Sequence, residues 1–62
     1  MIEIEDIIGC FDMVNEKCLF QNVLIERLRD NDFNEIEINA AVNEALASGV
    51  LKRNSSEQIC IN

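Results

Sequence analysis

The run FNEIEINAAVNEALASG, Phe33–Gly49, carries the start, the buried face and the stop of one helix. Asn34 suits the N-cap, because its side-chain oxygen accepts from the open backbone N–H groups of a first helical turn. Glu37, three residues on, completes a capping box, and Phe33 with Ile38 stand at the two positions of a hydrophobic staple. Ile38, Ala41, Val42 and Ala45 recur at helical spacing and form one apolar stripe. Gly49 is free to take the left-handed conformation that ends a helix, with Val50 folding back onto the last turn.

Upstream, Ile4, Ile7, Ile8, Phe11 and Val14 fall at helical spacing and predict an amphipathic helix over 3–15, with Glu5, Asp12 and Glu16 on its opposite face. Gly9 sits on the outer side of that helix and costs up to about 1 kcal/mol relative to Ala. Lys17-Cys18-Leu19 is a short extended link that must pair with another strand to persist. Val23, Leu24, Arg27 and Leu28 predict a second helix over 21–30, with Ile25 a further candidate for burial. Asp30-Asn31-Asp32 closes it with turn-forming residues. The connection to the next helix is only about four residues, which makes the two helices cross sharply as a helix-turn-helix. Beyond Gly49, Val50–Arg53 and Glu57–Ile61 read as strands around the turn residues Asn54-Ser55-Ser56. Leu51 is expected inward with Ile59 and Ile61, and Arg53, Gln58 and also Cys60 outward. Ile38, Val42 and Ala45 are expected to pack on Phe11, Leu24 and Leu28.

A 62-residue chain has room for one core and none for a deep catalytic cleft. Its formal charge is −7 and unevenly spread: residues 1–16 hold five acids and no base. Such a balance repels a phosphate backbone, and it also keeps a small domain soluble. Cys10, Cys18 and Cys60 are an odd number without a CxxC pair, so reduced thiols in an intracellular protein are expected rather than a disulfide framework or a zinc site. No apolar run approaches membrane-spanning length. Histidine is absent, which removes a His-based triad and a histidine metal site. Gly9 and Gly49 are the only glycines, so there is no phosphate-cradling loop. The carboxylate pairs Glu3/Glu5 and Glu35/Glu37 read as solvated charges favourable to helix N-termini. Neither catalysis nor a cofactor or metal is expected.

The series Ile38-x-x-Ala41-Val42-x-x-Ala45-x-x-x-Gly49-Val50-Leu51, followed by a terminal hairpin, resembles a winged helix over nearly the whole chain. The resemblance implies an α+β, mostly α class: a winged helix-turn-helix of three helices with a short strand and a C-terminal β-hairpin wing. Residues 1–62 would be a single such domain and a C-terminal fragment of a larger protein. The pattern is similar to the C-terminal winged helix of minichromosome maintenance helicases, whose chains stop just after the second wing strand. It also resembles the C-terminal domain of the middle subunit of replication protein A, in which Leu19-Phe20-Gln21 has a counterpart before the second helix. The Ser-rich wing is shorter than theirs. Both families use such domains mainly to dock or regulate other proteins. The resemblance therefore implies a protein-interaction or regulatory module of DNA replication machinery, whose parent could be an ATPase helicase. Its setting would be the nucleus in a eukaryote, or the cytoplasm in an archaeal or viral host.

With Ile38, Val42 and Ala45 turned inward, the third helix presents Ile36, Glu37, Ala40, Asn43, Glu44 and Ala47. A helix reading a major groove presents Arg, Lys, Asn or Gln to base edges and basic groups to phosphate. This face has no Lys or Arg. Small apolar residues bordered by acids suit a basic amphipathic partner helix, with weak or no DNA binding and no membrane association. The isolated domain is expected to be a monomer. The alternative is a small sequence-specific DNA-binding transcriptional regulator using Arg27, Arg29, Lys52 and Arg53; gathering of these bases with Lys17 into one patch would favour it, and dispersal would favour the docking module.

Overall fold

A computed structural model describes residues 1–62. The elements are α1 (Ile4–Val14), β1 (Cys18–Phe20), α2 (Gln21–Asp30), α3 (Glu35–Ser48), β2 (Leu51–Arg53) and β3 (Gln58–Ile61). Three helices stand on a three-stranded antiparallel sheet of order β1-β3-β2, a mostly helical α+β fold with a winged-helix-like layout. No helix is long and apolar enough to cross a membrane.

The cap signals of α3 form as expected. The Glu37 N–H donates to Asn34 Oδ1 at 2.8 Å, and the Asn34 N–H donates back to Glu37 Oε1 at 3.4 Å. Gly49 ends the helix at φ 85°, its N–H donating to the Leu46 carbonyl. At α1 the Glu3 N–H donates to Asp6 Oδ2 at 2.8 Å, and Asn15 closes the helix in the left-handed conformation. In the wing, Asn54 organises the turn, its Oδ1 accepting from the N–H groups of Ser56 and Gln58.

One core joins all three helices to the sheet: Ile7, Phe11, Leu24, Leu28, Ile38, Val42, Ala45, Leu51 and Ile59 are buried together. Phe33 and Val50 pack against its margin. The inward face of α1 differs from the expected stripe. Ile4 is 47% exposed, and Cys10 takes a place in the core with Ile7 and Phe11. The spacing of Ile7, Cys10 and Phe11 is as helical as that of the isoleucines. The neighbouring helix selects between the two faces, and packing on α2 turns α1 toward Cys10.

The cysteine expectation is overturned. Cys18 and Cys60 form a disulfide across 42 residues, leaving Cys10 as the one free thiol. The register explains it. β1 pairs with β3 so that Cys18 faces Cys60, and the neighbouring Lys17–Ile61 pair carries the hydrogen bond from the Ile61 N–H to the Lys17 carbonyl. Cys18–Cys60 is therefore a non-hydrogen-bonded pair, the type in which facing residues approach most closely. The Cα atoms are 4.0 Å apart. The bond also removes the thiol-based support for an intracellular setting.

Arg53 is a second correction. Two residues from Leu51 it lies on the same, inward sheet face, but beyond the core, where its guanidinium Nη2 donates to Gln21 Oε1 at 3.0 Å.

Candidate docking face

Residues Glu35–Ser48 turn Ile38, Val42 and Ala45 into the core, so the opposite side of α3 is left to solvent. Ile36 is 84% exposed there, with Ala40, Asn43, Glu44 and Ala47 also exposed and Glu37 half-buried. Fourteen residues of helix thus present a face without a single cation.

That face is not uniform. Its flank toward α1 forms a groove of about 540 Å³, walled on the other side by the N-terminal segment, Met1–Ile4. Ala40, Ala41 and Ala45 make an apolar floor, and Ile2, Ile4 and Ile7 an apolar wall. Glu37, Glu44 and Glu3 stand at the groove, and no Lys or Arg lines it. Of the six residues expected to meet a partner, Glu37, Ala40 and Glu44 line this groove. Ile36, Asn43 and Ala47 lie outside it on the crest of the helix. Ile36 stands one turn before Ala40 and extends the apolar strip toward the N-terminus of α3. The N-terminal wall was missed from sequence. Its only signal was Ile2 and Ile4 preceding or opening α1, which fits a first-turn core contact equally well.

The bases considered for nucleic acid are divided among separate surroundings. Arg27 lies beside Cys10 of α1, with its Nε buried and without a hydrogen-bond partner. Arg29 pairs with Glu35 across the helix-turn-helix at 3.6 Å, an exposed contact worth little on its own. Lys52 and Arg53 are neighbours in β2 and so point to opposite faces of the sheet. Lys52 faces outward opposite Cys60, while Arg53 reaches the start of α2.

The Cys10 thiol is 2% exposed, and burial pushes its pKa above the ordinary value; the nearby Arg27 opposes the shift and Asp6 adds to it. Its Sγ donates to the Asp6 carbonyl at 3.4 Å, so the neutral thiol is the favoured form. No cluster of three His, Cys, Asp or Glu is placed to hold a metal ion.

Compared with protein families, curated proteins and solved structures, the chain matches none.

Proposed function

We propose that this chain is a protein-docking, regulatory module of winged-helix type serving DNA replication machinery, and that the groove between α3 and Met1–Ile4 receives a basic amphipathic helix of a partner. The observation that carries the docking reading is the groove's make-up: an alanine floor and an isoleucine wall, with Glu3, Glu37 and Glu44 around them, no Lys or Arg, and the Met1 ammonium 3.7 Å from Glu37 as the one cation. The replication setting rests on the resemblance of the Ile38–Leu51 series to the replication winged helices.

The charge arrangement selects the partner. An apolar strip on the guest helix would settle on Ala40 and Ala41, small residues that let a second backbone come close. Lys or Arg flanking that strip would meet Glu3 and Glu44, and would share Glu37 with the Met1 ammonium. From Glu37 to Ser48 the groove runs about 16 Å along α3, which corresponds to about three turns of guest helix. Anchors at i, i+4 and i+7 fit that length. Rim charges of this kind chiefly accelerate association, so added salt should slow the on-rate more than it changes the off-rate. Duplex DNA has far less to hold. Each phosphate contact needs a cation to displace a counterion, and the bases here are split between separate faces.

The experiment is a pair of titrations, one with a labelled Lys-rich amphipathic helical peptide of three turns and one with labelled duplex DNA. Each is run on the parent, Glu37→Lys/Glu44→Lys and Lys52→Glu/Arg53→Glu. Peptide binding lost in the first variant and kept in the second supports docking. Micromolar or tighter DNA binding by the parent, abolished only by the wing variant, would replace this function with the DNA-binding regulator.

A further inference from the structure

The outer face of the sheet has chemistry that the groove does not use. The ladder places Cys18, Phe20, Gln58, Cys60 and Lys52 on that face. The disulfide joins β1, an edge strand, to β3, the central one. Cys60 is 4% exposed, whereas Cys18 is only partly buried.

We infer that the Cys18–Cys60 disulfide is a thiol-exchange site of the folded protein, open to a small monothiol, with Cys18 Sγ the sulfur attacked and Cys60 the leaving thiolate. An attacking thiolate approaches along the line of the S–S bond. No strand lies beyond Cys18, because β1 is an edge of the sheet, whereas β2 with Lys52 lies beyond Cys60. Access therefore selects Cys18. Lys52 sits directly opposite Cys60 and points to the same face. Its ammonium is placed to stabilise the thiolate that departs, and a better leaving group speeds exchange. Phe20 and Gln58, the other side chains on that face, carry no charge to oppose it.

The electrons balance as follows. The monothiolate forms a bond to Cys18 Sγ as the Cys18–Cys60 bond breaks, and Cys60 departs with the electron pair and takes a proton from water. A second monothiolate attacks the first one's sulfur, freeing Cys18 as thiolate and releasing the oxidised dimer of the small thiol. Two thiols supply the two electrons. Cys10 does not serve as an internal substitute, because it is buried against α2. Reduction leaves β1 held to β3 by ladder hydrogen bonds and by Leu19, which packs on the core opposite Ile59.

The test uses the native chain with excess reduced glutathione, acid quenching, alkylation and peptide mapping by mass spectrometry. Glutathione is expected on Cys18 with Cys60 alkylated, at a rate that stays flat in urea too dilute to unfold the chain. Lys52→Glu should slow the reaction about fivefold, and Lys52→Arg should restore it. An adduct on Cys60 would overturn the assignment, as would a Lys52→Glu rate equal to the parent's. A rate climbing steeply with urea would show that exchange needs the unfolded chain, and would overturn it too.

Discussion

Removing the Cys18–Cys60 bond should lower the melting temperature by about 30 °C. The bond spans 42 residues and closes a ring that holds α2, α3 and the first wing strand. In the unfolded chain that ring forbids most of the conformations otherwise open to it. For a loop of this length the loss of chain entropy stabilises the fold by about 4 kcal/mol. A domain of 62 residues has about 3 to 9 kcal/mol of net stability in all. Its unfolding entropy near the midpoint is about 0.13 kcal/mol/K, which converts 4 kcal/mol into the stated shift. The assay is far-UV circular dichroism of three samples: the oxidised chain, the chain reduced with a phosphine, and Cys18→Ala/Cys60→Ala. Reduction and the double variant should agree, since both remove the same link. In urea their m-value should exceed that of the oxidised chain, because an unlinked denatured state exposes more surface. A loss below about 10 °C in both would refute the reasoning: the cross-link would then not be what restricts the unfolded chain.

Val42→Asp would bury an unpaired carboxylate at a position 1% exposed in the centre of the core, and the chain should lose its cooperative melt; a parent-like melt would mean that α3 turns another face inward. Gly9→Ala should raise stability by about 0.5–1 kcal/mol, because a Cβ there meets nothing within 4 Å and Ala is the better helix former. Chemical denaturation would read that gain, and a loss would mean that another group lies close to α1 at this point. The folded pKa of Cys10 lies above its unfolded value, so its contribution is fully present below the unfolded pKa and is lost as pH rises through the folded one. Stability of the parent should therefore fall more steeply than that of Cys10→Ala as pH climbs above about 9; parallel curves in urea titrations would place Cys10 in a solvated site.

The groove and the disulfide differ in how much of each could be read beforehand. Ile36, Ala40 and Ala47 follow from the periodicity of one helix once its inward stripe is known, so the outward face of α3 was legible. The far wall of the groove was not, because Met1–Ile4 meets α3 only after α1 has packed. The likeness in spacing between Cys10 and Ile4 hid which of them is buried. Helical periodicity defines a stripe to within a residue or so, and the final rotation comes from the neighbour.

By itself the sequence determined the elements and their ends. The Asn34–Glu37 box, the left-handed Gly49 and the Asn54 turn are made by groups at most four residues apart, so their hydrogen bonds are encoded where they form. The stripe Ile38, Val42 and Ala45 is a property of one helix and was equally local. Tertiary structure alone decided what lies across a gap in the chain. Cys18 meets Cys60 because β1 pairs with β3 in one register, and a slip of one residue would send the two thiols to opposite faces. Nothing near Cys18 in the sequence specifies a partner 42 residues away; that pairing is selected by burial of Leu51 and Ile59 beneath the helices, which sets the whole sheet at once.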